Sequence, residues 1–383
     1  MREAVIVGAV RTPIGRRNGA LSQIRPDELA AEVLKELVAR AGISPEIIDD
    51  VIMGCVSQVG EQAADIGRVA ALIAGYPVEV PGTTIDRQCG SSQQAVHFAA
   101  QAILSGDMDV VVAAGVESMS RVPMFSNLQG SGWSEKLTSR YEMIHQGLSA
   151  ERMAEKWDFS REQLDEFALE SHHKAVQAQK EGRFEREIMP VEVTLPDGTK
   201  TMVTQDEGPR EDTSLEKLSQ LKPSFKEDGV IHPGNASQIS DGAAAILLMS
   251  REKAEKLGLR PRFRVLARVV VGSDPTLMLT GPIPATEKVL RKAGLSLDDI
   301  DVFEVNEAFA PVPLAWLAET GADPHKLNPN GGAIALGHPL GASGARLMTT
   351  MMHELERTGG RYGLQTMCEG HGMANATIIE RLD

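Results

Sequence analysis

A chain of 383 residues, 42% hydrophobic and only 4% aromatic, can build a large aliphatic core, as two or three domain-sized units or as one duplicated fold. Its net charge of −14, with no run of Lys or Arg, lacks the electrostatic footprint of a nucleic-acid binder, and any anionic substrate has to be met by local basic groups. No stretch reaches the ~18 apolar residues of a membrane span, and three unevenly spaced cysteines make no disulfide framework, which points to a soluble, reduced, cytoplasmic protein.

Residues 4–10 predict a strand, too short and too soon followed by Arg11-Thr12-Pro13 to be a signal peptide. Residues 36–41 predict the end of a helix capped by Gly42. After an acidic turn, residues 50–54 predict a strand that carries Cys55 within its apolar run. Gly90-Ser91-Ser92 opens a helix with apolar Ala95, Phe98, Ala99, Ala102 and Ile103, and a strand follows at 109–115. Residues 119–239 have a different texture, with a loop rich in Ser, Gly and Asn at 126–134, a charged helix at 160–181 and a hairpin turning at Pro196-Asp197-Gly198. They predict an insertion of the kind that builds substrate sites above the ends of an α/β sheet. The first pattern then returns. Residues 288–293 predict a helix end capped by Gly294, and 301–305 a strand. Gly341-Ala342-Ser343-Gly344 opens a helix with Leu347, Met348, Met351, Met352 and Leu355, followed by a strand at 363–367. This alternation predicts βαβ units, parallel sheets and a duplicated α/β fold, in which Cys89 and Leu340 hold equivalent places before equivalent helices.

Three glycine-rich segments carry chemistry rather than packing. Cys89 directly precedes Gly90-Ser91-Ser92, where orphan N–H groups and the positive end of the helix dipole favour a thiolate. Cys55 is read as a small buried hydrophobe. His338 lies in the glycine run 331–346, which matches neither the P-loop nor the dinucleotide pattern. That run cradles a phosphate or aims His338 at a thiol that it activates. Cys368 opens a second strand-to-glycine turn, Cys368-Glu369-Gly370-His371-Gly372. A thiolate there can act as a general base, and Cys368-x-x-His371 alone is a weak zinc signal. Asn306, after the strand at 302–305, is an oxyanion donor or a helix N-cap. His97, His172, His173 and His353 are read as structural or exposed, and His145 and His232 remain open.

Together Cys-Gly-Ser, Asn-Glu-Ala-Phe and Gly-Gly-Ala-Ile-Ala-Leu-Gly-His-Pro-x-Gly make the whole chain resemble the thiolases, acyltransferases that perform and reverse Claisen condensation. The resemblance implies an α/β fold of two similar halves in five layers (α/β/α/β/α) with an inserted loop domain. The first half would be 1–118, completed by about 240–270, the CoA-binding insertion 119–239, and the second half 271–383. It implies acylation of Cys89 by a CoA thioester, activation by His338, and proton transfer at the α-carbon by Cys368. Asn306 would hold a water that forms one oxyanion hole with His338, and the N–H groups of Cys89 and Gly370 would form the other. Ser237 in Gly234-Asn235-Ala236-Ser237 and His145 would meet pantetheine, Arg210 would lie near the adenine, and Ala308 and Phe309 would complete the substrate surface. Coenzyme A and acyl-CoA enter as substrates, with no bound cofactor and no metal, and the assembly would be a dimer or a dimer of dimers, with neither nucleic acid nor membrane as partner. Two alternatives share the residues: a decarboxylating ketoacyl synthase, which has no second catalytic cysteine, and a non-catalytic acyl-CoA or lipid carrier. Two positions depart from the pattern. His371 stands where the family commonly has Gly, and Gln146 where short-chain members often carry Met, which leaves longer or bulkier acyl groups open.

Overall fold

The computed structural model describes residues 2–382. The first half contributes β1 (Ala4–Arg11), β2 (Gly15–Arg16), β3 (Asp50–Gly54), β4 (Gly82–Ile85) and β5 (Val110–Ser118). The insertion contributes the hairpin β6 (Val191–Thr194) and β7 (Lys200–Val203). Then come β8 (Ser240–Ser250), β9 (Phe263–Gly272), β10 (Val302–Val305), β11 (Tyr362–Glu369) and β12 (Met373–Arg381).

The duplication is visible in strand order and sense together. The first half runs β1-β8-β5-β3 and the second β9-β12-β11-β10. In each, the first two pairings are antiparallel and the third is parallel. The sheets are therefore mixed, not parallel as the alternation of elements predicts. β8 comes back from the insertion to lie between β1 and β5, and β12 follows β11 through a tight turn, and both routes impose antiparallel neighbours. A two-residue pairing of β1 with β9, at Val5 and Ile6, joins the halves. β9 pairs along its length with β12, so residues 263–272 run in the second sheet and do not complete the first.

Five layers follow from the packing. The helix Pro26–Ala41 covers the outer face of the first sheet and Pro282–Ala293 that of the second. Each ends at a glycine in the left-handed region, Gly42 at φ 66° and Gly294 at φ 70°, where an L side chain is disfavoured. Between the sheets lie Ser91–Ser105 and Leu340–Thr358, packed on each other and on both inner faces. The last residues before these two central helices are where the chemistry sits.

The insertion holds helices Gln146–Lys156 and Arg161–Lys180, the latter with a Ser160/Gln163 capping box. A fully buried arginine ties it to the first sheet. Arg11 Nε donates to Glu187 at 2.6 Å, and its two terminal nitrogens grip Asp206 at 2.6 and 2.9 Å. Removing the cation leaves two carboxylates buried without it, so Arg11→Ala is expected to cost about 3–5 kcal/mol of stability, read as a lower urea midpoint.

Candidate active site

Cys89 lies two residues before Ser91–Ser105, whose N-cap is Gly90. The turn is closed by Ser91, whose hydroxyl accepts from the Arg87 N–H (2.9 Å) and donates to the Gln88 carbonyl (2.6 Å). Gly90 leaves room for the Glu369 side chain, which a Cβ at this position would displace. The helix terminus does not produce a resting thiolate. Burial, reinforced by Glu369, pushes the Cys89 thiol up to about 12, so loss of solvation outweighs the dipole.

His338 lies two residues before Leu340–Thr358, so it is His338, and not Leu340, that corresponds to Cys89 in the second copy. Its backbone N–H is held by the Gln238 carbonyl (3.2 Å) and Ser240 Oγ (3.1 Å). Ser343 donates its hydroxyl proton to the Pro339 carbonyl at 2.9 Å and lies 2.5 Å from His338 Nδ1. Ser343 Oγ must then accept from Nδ1–H, which leaves a lone pair on Nε2. Burial, then Arg346, lowers His338 to about 3, so the ring is neutral at physiological pH.

Asn306 Nδ2 donates to that Nε2 at 3.3 Å. Its Oδ1 is buried and has no partner among the described residues, an acceptor vacancy that suits a bridging water. The N-cap alternative fails, because the next helix, Pro311–Thr320, is capped by Ala310. Glu307 is the anchor of this segment: its carboxylate accepts from Ser171 Oγ (2.6 Å), Asn328 Nδ2 (2.9 Å) and the Ile334 N–H (3.2 Å), and so fixes the Asn306 loop to the glycine run. Glu117 does the same across the halves, accepting from the N–H groups of Val56 and Gly341, both at 2.9 Å.

Cys368 is the penultimate residue of β11 and is buried. Burial, then the neighbouring Cys89 and Glu369, raises its thiol well above the ordinary range. Burial pushes the Glu369 carboxyl well above the ordinary carboxylate range, and neither side-chain oxygen has a hydrogen-bond partner among the described residues. Gly370 begins the turn to β12. Among the described residues the backbone N–H groups of Cys89 and Gly370 donate to no backbone carbonyl.

Cys89, His338, Cys368 and Gly370 line one cavity of about 570 Å³. Ser237, Arg210, His145, Ala308 and Phe309 line it too, so the expected site residues converge, with Asn306 behind His338. Gly234–Ser237 is held in place by His232, which proves structural: its ring bonds Asp165 at 2.6 Å and the Gly234 N–H at 3.0 Å. The Ser237 N–H reaches the Ala308 carbonyl at 3.0 Å. His145 caps Gln146–Lys156 by accepting the Gly147 N–H (3.0 Å) and stacks on Phe225 with ring centres 5.1 Å apart. His172 accepts the Arg210 N–H at 3.1 Å and so positions that residue. His97 is buried against Thr377 at 2.7 Å, bridging the two halves. Cys55 is buried, one residue beyond the end of β3.

Sequence reasoning missed Arg16 and Arg17, which line the cavity with Arg210 and supply the local basic groups that a −14 chain needs for an anion. A pair of arginines just beyond the C-terminal end of the first strand was the available signal.

The description "Thiolase, N-terminal domain" matches residues 4–252, and "Thiolase, C-terminal domain" matches residues 259–381. The chain is 53% identical to the steroid 3-ketoacyl-CoA thiolase FadA6 of Mycobacterium tuberculosis, covering 100% of this chain and 95% of that protein. It is 46% identical to the 3-oxoadipyl-CoA/3-oxo-5,6-dehydrosuberyl-CoA thiolase of Escherichia coli, over the full length of both. The crystal structure of the Bacillus anthracis acetyl-CoA acetyltransferase superposes with a TM-score of 0.93 at 42% identity, covering 100% of this chain and 99% of that one. With both family models spanning nearly all of it and the duplicated sheets enclosing the Cys89, His338 and Cys368 cavity, the chain belongs to the thiolase family.

Proposed function

We propose that this thiolase, an acyltransferase, transfers acyl groups between 3-ketoacyl-CoA and CoA by a ping-pong route through acyl-Cys89. The observation that carries this reading is the meeting of Cys89, His338, Cys368 and Gly370 in one cavity, with Asn306 bonded to His338. In the cleavage direction His338 Nε2 takes the Cys89 proton, and the sulfur attacks the 3-keto carbon. The Cys89 and Gly370 N–H groups hold the resulting alkoxide. The bond between the 3-keto carbon and the α-carbon breaks, and its electron pair moves into an acetyl-CoA enolate. Protonated His338 and a water held by Asn306 Oδ1 stabilise that enolate oxygen. Cys368 delivers its proton to the α-carbon and acetyl-CoA leaves; the CoA thiol then gives its proton to the Cys368 thiolate and attacks acyl-Cys89, and the Cys89 sulfur leaves with the proton held on His338, releasing the shortened acyl-CoA. Condensation is the reverse. Cys368 in the same cavity favours this reading over a decarboxylating synthase, which has no second catalytic thiol.

Arg16, Arg17 and Arg210 serve the CoA phosphates in this reading, and His145, Ser237, Ala308 and Phe309 the pantetheine arm. Residues 119–239 act as the CoA-binding insertion between the two halves. A cytoplasmic setting is supported by three free thiols. A homodimer or dimer of dimers is supported by the open edge strand β4 and the exposed Leu72, Ile73 and Val78 near it. No helix among the described residues is long and apolar enough to cross a membrane.

The test is intact mass after mixing with acetyl-CoA. One acetyl group should add, mapping to Cys89, and Cys89→Ala should abolish it; an adduct that survives the substitution overturns the reading. Asn306→Ala should lower kcat for acetoacetyl-CoA thiolysis about 100-fold or more, as loss of an oxyanion donor does.

A further inference from the structure

A second cavity, of about 350 Å³, opens on Cys89 and shares Met124, Leu340 and Gly370 with the first. It is itself the size of a small ligand site, at the low end of the roughly 300–1,000 Å³ range. An acetyl group on Cys89 would leave it almost empty. Its walls include Phe125, Leu128, Met143, Ile144 and Trp133, with His371 packed on Trp133.

His371 is the position that departs from the family pattern, and its geometry is unusual. It sits at φ 66°, a left-handed conformation that glycine adopts without cost and an L side chain does not. The strain has a local return, since the imidazole lies edge-to-face on Trp133 with ring centres 5.2 Å apart and planes at 83°. Trp133 comes from the insertion and His371 from the turn between β11 and β12. The pair therefore spans the two parts of the molecule beside Cys89.

The chemistry of the walls is equally specific. Among the described residues that line this chamber there is no Lys and no Arg. The polar groups are neutral amides, Gln88, Asn127 and Gln146, one hydroxyl, Ser57, and the imidazoles of His145 and His371. A carboxylate at the end of an acyl chain would find no arginine or lysine there to pair it. An uncharged ring system would meet aromatic faces and adaptable Met124 and Met143.

We infer that His371 and Trp133 are a specificity-determining pair, and that the acyl group carried on Cys89 is bulky, ring-bearing and uncharged, with at most a keto or hydroxyl group facing His371. The inference rests on the thiolase reading of Cys89 and extends it to the acyl group.

The test compares kcat/KM for thiolysis of acetoacetyl-CoA, 3-oxoadipyl-CoA and a 3-ketoacyl-CoA with a terminal cyclohexyl ring. The ring-bearing substrate should exceed 3-oxoadipyl-CoA by at least ~10-fold. His371→Gly, which suits the left-handed turn, and Trp133→Ala, at a half-exposed site, should each lower the ratio of ring-bearing to acetoacetyl turnover about tenfold. Equal or faster turnover of 3-oxoadipyl-CoA overturns the acyl assignment. A loss of the same size for all three substrates in both variants overturns the role of the pair, while acetoacetyl-CoA cleavage through acyl-Cys89 leaves the thiolase reading standing. If none of the substrates acylates Cys89, the reading beneath the inference fails, and the inference with it.

Discussion

His338→Ala is expected to lower single-turnover acylation of Cys89 by about 10³–10⁴-fold near neutral pH and to make the residual rate climb with pH. Two groups fix the expectation. The Cys89 thiol is pushed up to about 12, first by burial and then by Glu369. Near pH 8 only about one molecule in ten thousand would carry the free thiolate. His338 is lowered to about 3, first by burial and then by Arg346. Its folded value lies below its unfolded one, so the neutral ring persists at all pH values above about 3, and Nε2, which in the resting structure accepts from Asn306 Nδ2, carries no proton throughout that range. Wild-type acylation should therefore be flat with respect to both groups from weakly acidic to weakly alkaline pH, because the proton moves as the bond forms. Without His338 the reaction waits for the rare thiolate, and the rate should rise about tenfold for each pH unit until the protein unfolds. The measurement is rapid-mix acylation by a 3-ketoacyl-CoA with no added CoA, so that titration of the CoA thiol does not enter. A residual rate independent of pH would remove His338 from the role of base.

The same pair of groups shows what local sequence conveys and what it cannot. The glycine turns marked Cys89, His338 and Cys368 because a side chain between glycines near a helix start or strand end has little packing to do. Gly42 and Gly294 marked the repeat for an equally local reason, since both take the left-handed conformation that ends a helix. Pairing sense was not local. Whether β8 lies antiparallel between β1 and β5 depends on where the chain re-enters after more than a hundred residues of insertion. Nor was the charge state of Cys89 local: the helix terminus lies in the sequence around it, whereas its burial and Glu369 come from elsewhere in the chain. Glu117 is the instructive intermediate case. An acid in the otherwise apolar and neutral run of β5 is costly unless bonded, so its presence alone announces an anchor, but only the fold reveals that it accepts from Val56 on one side and Gly341 on the other. Arg16 and Arg17, exposed and next to a turn, looked like ordinary surface and gained meaning only from the cavity beside them.

Cys368→Ser should separate the two half-reactions. Exchange of labelled CoA into acetyl-CoA requires only that acetyl pass to Cys89 and back, with no bond to the α-carbon made or broken. It should persist, with acetyl-Cys89 still seen by intact mass. Condensation to acetoacetyl-CoA and its thiolysis both move a proton at that carbon, and each should fall by at least ~10³-fold. The reason is positional as well as chemical. Cys368 sits in β11 with its thiol buried, 1% exposed, close enough to Cys89 that, after burial itself, the Cys89 sulfur makes it harder to ionise. Water does not substitute readily in such a place, and a serine hydroxyl is a far weaker acid than a thiol, so it cannot take the α-proton in synthesis. In cleavage the same hydroxyl gives up its proton to the enolate far less readily. Cys368→Ala removes the group altogether and should behave alike, which guards against misreading the cost of burying a hydroxyl. Equal loss of exchange and of condensation in both variants would mean that Cys368 supports the shape of the Cys89 pocket and moves no proton. Retained condensation would transfer the proton to another group, and among the described residues Glu369, unpartnered beside the same cavity and with its carboxyl raised by burial, would then be the candidate to replace next.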